Sequence, residues 1–222
     1  MANSEGRGMM PANNMINTKY ANEGGTLKLA KEAIQARDLA MLQKILKETK
    51  DFDLRDENGN TLLILATHAE CYPLVKWLLN TGVDVNASGR YNRTPVDIAA
   101  EAGNAKILGL LLERGGNPDL NPSGDYYNDV PPIHLAAEAN SPKCIGLLLE
   151  YGADIDARDA AWKRTALHTS LDTEPASRAA EYLILNGADI NARDKMGTTP
   201  LQEAVRSRAR KITALLRERG AV

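Results

Sequence analysis

Short apolar runs recur along the chain, each broken by the same polar punctuation. Leu74-Val75-Lys76-Trp77-Leu78-Leu79, Ile107-Leu108-Gly109-Leu110-Leu111-Leu112 and Ile145-Gly146-Leu147-Leu148-Leu149 each stand a few residues before a glycine. Those glycines fall at 82, 115 and 152, and the series continues at 187 and 220, in steps of 33, 37, 35 and 33. A second landmark keeps the same beat: Thr61, Thr94, Pro131, Thr165 and Thr199, in steps of 33, 37, 34 and 34. Two landmarks sharing one period identify an array of repeated units.

Within a unit the pattern predicts turn, helix, loop, helix. Thr94-Pro95 and Thr199-Pro200 suit a helix start, since Thr caps and Pro at the first helical position lacks only an orphan N–H. The paired alanines of Ile98-Ala99-Ala100 and Leu135-Ala136-Ala137 let a first helix lie close to its neighbours. The Leu-rich second helix supplies most of the apolar area. The glycine after it takes the left-handed conformation that ends a helix. The unit endings repeat almost letter for letter, as in Gly82-Val83-Asp84-Val85-Asn86, Gly152-Ala153-Asp154-Ile155-Asp156 and Gly187-Ala188-Asp189-Ile190-Asn191.

Thr94-Pro95-Val96-Asp97-Ile98-Ala99-Ala100, Pro132-Ile133-His134-Leu135-Ala136-Ala137 and Thr199-Pro200-Leu201-Gln202-Glu203-Ala204 resemble the core motif of the ankyrin-repeat family. Gly187-Ala188-Asp189-Ile190-Asn191-Ala192 is similar to its repeat ending. The resemblance covers about residues 26–222. It implies an all-α solenoid of about six units, two of them caps, with β-hairpin-like turns projecting to one side of a concave face. It implies protein binding and no chemistry of its own. It also implies that His134 and His168, at the family's usual histidine place, tie each unit to the turn backbone. Ile64, Asp97 and Gln202 replace that histidine elsewhere.

Composition changes this picture little. The chain has 222 residues, a net charge of -2, 25% charged and 43% hydrophobic residues, values of an ordinary soluble protein. That charge excludes a global nucleic-acid or membrane field. No apolar run reaches the ~20 residues of a membrane helix, and the first residues lack the pattern of a secretory signal. Cys71 and Cys144 occupy different places in their units, which points to reduced thiols and a cytoplasmic location. Residues 1–24, rich in Asn, Gly and Met, read as a disordered arm, and residues 25–222 as one domain. Thr26 to Lys50 form the first cap. Arg206, Arg208, Arg210, Lys211, Arg217 and Arg219 give the last unit a basic outer face, read as a solubilising cap rather than a nucleic-acid site.

Catalytic constellations are missing from the pattern. There is no His-x-x-x-His, Cys-x-x-Cys or phosphate-binding glycine loop, and His68 stands alone toward the groove. The chain therefore reads as a non-enzyme, with no cofactor and no metal site expected.

Binding residues are expected in two places. Counting back three from each Thr landmark or its equivalent Pro131 brings Asn58, Tyr91, Asn128, Trp162 and Met196 to the turn tips, flanked by Arg90, Arg93, Lys163 and Arg164. The stretch from Gly115 to Pro131 is longer than its counterparts and places Tyr126 and Tyr127 in an extended finger. These are scarce aromatics in polar turns, the residue types that binding hot spots favour. The bland alternative has each packed flat on its own hairpin, Trp162 above all. The second place is the groove. The resemblance puts the seventh residue after each landmark there, so Glu101, Glu138 and Asp172 form an acidic stripe aimed at a basic protein surface. An extra residue between the helices near Leu171-Asp172 would start the next helix at Pro175. The expected function is non-catalytic protein–protein binding by a chain that is a monomer on its own and binds neither nucleic acid nor membrane. An inhibitor or immunity-type protein is the alternative, and an enzyme with a groove site a more distant one.

Overall fold

The computed structural model describes residues 23–119, 130–173 and 177–222. Within them twelve α-helices follow one another in pairs: α1 Glu23–Gln35, α2 Leu39–Thr49, α3 Leu62–His68, α4 Tyr72–Asn80, α5 Pro95–Glu101, α6 Ala105–Glu113, α7 Pro132–Glu138, α8 Pro142–Glu150, α9 Ala166–Thr173, α10 Arg178–Leu185, α11 Pro200–Arg206 and α12 Arg210–Glu218. Odd-numbered helices stack on odd-numbered ones, and from α4 onward even-numbered helices stack on even-numbered ones. The result is two helical layers running the length of the array. No helix among the described residues is long and apolar enough to cross a membrane.

The predicted starts hold in detail. The side chains of Thr61, Thr94 and Thr199 accept from the backbone N–H three residues on, at 3.3–3.4 Å. Asp97 and Gln202 reach back to the N–H of Thr94 and Thr199, closing two capping boxes. Two of the three residues that replace histidine, Asp97 and Gln202, thus serve their own helix. Two boundaries differ from the sequence reading. Helix α1 begins at Glu23, inside the expected arm; residues 1–22 lie outside the described residues. Helix α10 begins at Arg178, capped by Ser177 Oγ accepting from Ala180 N–H at 3.0 Å, not at Pro175. Serine supplies the acceptor that proline cannot.

One continuous core runs from Ala30 to Leu216. The small residues Ala66, Ala99, Ala136 and Ala204 are buried in the inner layer, and Leu74, Leu78, Leu108, Leu111, Ile145 and Leu148 in the outer one. Each such large side chain contributes about 1.5–3 kcal/mol by burial.

The repeated unit ending has a polar explanation. Asp84, Asn117, Asp154 and Asp189 each accept from the backbone N–H two residues on, forming an Asx-turn at 2.9–3.0 Å. The residue whose N–H is so held then reaches the next unit. Asn86 accepts from Asn117 N–H, Asp119 from Asp154 N–H, Asp156 from Asp189 N–H and Asn191 from Val222 N–H. A ladder of side-chain acceptors therefore ties unit to unit along one edge.

Candidate functional site

The projecting turns begin where that ladder ends. Three are closed by one backbone bond spanning four residues: Asp56 N–H to Asn60 O, Gly89 N–H to Arg93 O and Asp194 N–H to Thr198 O. A residue two before the helix cap takes positive φ in each, namely Gly59, Asn92 and Gly197. The turn before Thr165 is one residue longer and closes from Asp159 N–H to Arg164 O, with Lys163 at φ +56°. That extra residue went unnoticed in the sequence, because the step between landmarks absorbed it. Antiparallel bridges at Arg55–Thr61 and Arg158–Thr165 make these turns hairpin-like.

Arginines rivet neighbouring turns together. Arg55 donates to Gly59 O at 2.8 Å and to Ser88 O of the next turn at 2.7 Å. Arg158 does the same with Lys163 O at 2.9 Å and Arg193 O at 2.6 Å. The N–H of Lys195 donates to Trp162 O at 2.8 Å, so two tips are bonded directly. This role of Lys195 had no signal in the sequence beyond its place in a turn.

Three predicted tip residues stand out from the surface: Tyr91 is 57% exposed, Trp162 56% and Met196 76%. Arg90 lies 4.5 Å over the Tyr91 ring and donates to its hydroxyl at 2.7 Å, fixing that ring at the tip. Tyr126, Tyr127 and Asn128 lie outside the described residues.

The inner-helix ends adjoin the bases of the turns, and ion pairs show it. Arg93 pairs with Glu101 at 2.7 Å, and Arg164 pairs with Asp172. The expected acidic stripe is corrected by these bonds. Two of its three carboxylates are neutralised by arginines one residue before the cap of their own units. In the unit between, Val130 holds that place, and among the described residues Glu138 has no ion pair. Exposed Lys163 likewise has no carboxylate partner among the described residues. The surface is thus a row of large apolar and cationic tips beside Glu138, which is unpaired among the described residues.

Both buried histidines are structural. His134 Nε2 donates to Ala157 O at 2.8 Å, which leaves Nδ1 to accept from the Thr169 hydroxyl at 3.1 Å in the next unit. His168 Nε2 donates to Thr198 O at 3.1 Å while Nδ1 accepts from Thr165 at 2.9 Å. The two rings differ because Pro131 offers His134 no hydroxyl and no N–H. Burial holds both rings below the ordinary histidine value. Among the described residues no three His, Cys, Asp or Glu side chains gather as a metal group would.

Stacked helix pairs with tied, projecting turns define a repeat solenoid built to present a surface. The chain belongs to the ankyrin-repeat family: the family model described as ankyrin repeats (3 copies) matches residues 30–122 and 133–222. Ankyrin repeats are protein–protein interaction modules. The chicken (Gallus gallus) nuclear factor NF-kappa-B p105 subunit is 32% identical over 172 residues, covering 76% of this chain and 17% of that protein. The Caenorhabditis elegans E3 ubiquitin-protein ligase hecd-1 is 30% identical over 120 residues, 52% of this chain and 4% of that one. The chain thus spans a small part of these relatives. Among solved structures, the ankyrin repeat protein EF0377 superposes with a TM-score of 0.76 at 28% identity, covering 86% of this chain and 98% of that one. A chain in the complex of the Bdellovibrio bacteriovorus predatory endopeptidase Bd0816 with immunity protein Bd3460 matches with a TM-score of 0.75 at 25% identity, covering 86% and 97%.

Proposed function

We propose that this protein binds one protein partner along the edge formed by its turn tips, without catalysis. The observation that carries this is the exposure of Tyr91, Trp162 and Met196, each three residues before a helix cap, with the Trp162 and Met196 turns bonded to one another. Large side chains held out by a rigid scaffold bury their area on binding with little further loss of freedom. Arg90, Lys163 and Lys195 give the same edge a positive rim, while Glu138 takes one basic group of the partner. The paired Arg93, Glu101, Arg164 and Asp172 brace this edge rather than attract charge from afar. Tyr126, Tyr127 and Asn128, outside the described residues, are proposed as further contacts of the same partner. Two free, buried thiols, Cys71 and Cys144, suit a reducing cytoplasmic setting.

A second reading is favoured by the similarity to a chain of the endopeptidase–immunity protein complex: binding here would block an enzyme or toxin. Both readings are tested by affinity capture from source cells with the native chain and with a Trp162→Ala/Met196→Ala variant. The proposal expects a stoichiometric protein on the native bait that the variant loses. Equal recovery on both baits refutes the tip edge. If the captured protein is an enzyme, its activity should fall at one equivalent of the native chain.

A further inference from the structure

The last unit exposes a surface that has no counterpart elsewhere in the array. Six residues after each helix-cap landmark stand Thr67, Ala100, Ala137 and Leu171, all buried. The equivalent Val205 is 52% exposed. It lines a shallow cavity of about 440 Å³ together with Ala214, Arg208, Arg210 and Arg217. Three residues before the closing glycine, Leu79, Leu112, Leu149 and Ile184 present apolar side chains, and Arg217 takes that place here.

Among the described residues these arginines are without anionic partners. Lys31, Arg93, Arg164, Arg206 and Lys211 all have carboxylates within ion-pair reach. Among the described residues Arg208, Arg210 and Arg217 have none. Glu203, the nearest acid along α11, is buried and already engaged by Arg206. Three guanidinium groups unpaired among the described residues, lining one cavity with Val205 and Ala214, combine a charge demand with a shape demand.

We infer that this end face is a second binding site, for an acidic segment of a protein partner that seats one aliphatic side chain on Val205 and Ala214 and its carboxylates on Arg208, Arg210 and Arg217. Guanidinium groups favour carboxylates because two parallel N–H donors match two oxygens. The other occupants fit less well. A second copy of this face would bring like charges together. A further apolar helix pair would bury Arg217 without a partner. A single-stranded nucleic acid wants an aromatic platform, and this cavity has no aromatic side chain in its lining. The site uses a different face from the turn tips, so it stands or falls independently of them.

The test is fluorescence anisotropy with the full chain and a short labelled peptide of Asp and Glu around one central Leu. Two further peptides replace the acids by their amides, or the Leu by Ser. Saturable binding of the first peptide should weaken about tenfold with the amides and about threefold with the Ser peptide. It should weaken about tenfold in an Arg208→Gln/Arg210→Gln/Arg217→Gln variant, be unchanged in Trp162→Ala, and fall as salt rises. Val205→Ser should erase the difference between the Leu and Ser peptides. Circular dichroism confirms that each variant is folded; a charge-reversing Arg217→Glu alone serves if the triple variant is not. Equal binding of acidic and amide peptides overturns the proposal, as does full binding by the folded arginine variants. A single-stranded oligonucleotide of equal charge that binds as tightly, and is lost in the same variants, overturns it in favour of nucleic acid. Sedimentation showing that this face self-associates overturns it in favour of a second copy.

Discussion

Asp156 accepts a hydrogen bond from the backbone N–H of Asp189 at 2.9 Å, 33 residues further along the chain. Its own N–H is held at 3.0 Å by Asp154, so the acceptor is aimed before the next unit meets it. Burial raises the Asp156 carboxyl above its ordinary value, and the like charges of Asp189 and Asp154 add to this. Asparagine keeps the acceptor and removes the charge, and Asn86 and Asn191 hold equivalent places. We expect Asp156→Asn to stabilise the fold by about 0.5 kcal/mol and Asp156→Ala to destabilise it by about 1 kcal/mol. Urea unfolding decides the matter. Equal effects of Asn and Ala would mean that the bond contributes nothing.

The buried histidines make stability depend on pH. Their folded values lie below the ordinary 6.5, by burial first, with Arg164 opposing protonation of both rings. The unfolded chain therefore takes up protons first. Their contribution is complete above about pH 6.5 and declines below it, until the folded values are passed. The loss is at most ~1.4 kcal/mol per pH unit for each ring. Denaturation midpoints compared between about pH 7 and 5 should fall less steeply in His134→Gln/His168→Gln than in the native chain. Identical slopes would exclude the two rings as the cause.

Much of this was legible because each unit repeats its local signals. Thr-Pro starts, alanine pairs and closing glycines appear in phase, and the helices lie where they place them. The acidic stripe was misread because ion pairing is three-dimensional. Arg93 and Glu101 are eight residues apart, on a turn and at a helix end, and no periodicity brings them together. The extra residue in the Trp162 turn was hidden because another, in the following loop, stretched the same unit. Val205 looked like any apolar helix residue; its exposure among three unpaired arginines is visible only in the structure. The reach from Asp156 to Asp189 lay within the repeated ending, but repetition alone does not say what a side chain bonds.

Lys163 stores strain that the array does not need for folding. Its φ of +56° matches a place held by Gly59 and Gly197 in sister turns. A left-handed non-glycine residue costs about 1–2 kcal/mol, partly offset by the greater chain entropy of glycine. Lys163→Gly is expected to raise stability by about 0.5–1 kcal/mol. A melting temperature that drops on this substitution would show that the Lys163 side chain itself is a structural contact.

Leu148 is fully buried in α8, in the middle of the array. Leu148→Ala should cost about 2–5 kcal/mol, the range for a leucine cavity that its surroundings cannot refill. Because each helix pair is covered only by its neighbours, the loss should appear as one shifted transition, not a second one. Guanidinium titration followed by circular dichroism and by tryptophan fluorescence checks both points. Trp77 and Trp162 report from different units, so diverging curves would reveal separate unfolding of the two ends.

Trp162 and Met196 sit on turns joined by the bond from Lys195 N–H to Trp162 O. Their side chains are 56% and 76% exposed, so truncation removes little that folding uses. Trp162→Ala should change fold stability by less than about 1 kcal/mol. On binding the same ring would lose its remaining water contact while already fixed by the bonded turn. Its removal should weaken the partner complex by about 2 kcal/mol or more. Met196, flexible and without a bonded ring, should cost about half as much. Calorimetric titration of the captured partner into the native chain, Trp162→Ala and Met196→Ala separates the two contributions. If both variants bind with native affinity and native stability, the partner is gripped on another face of the array.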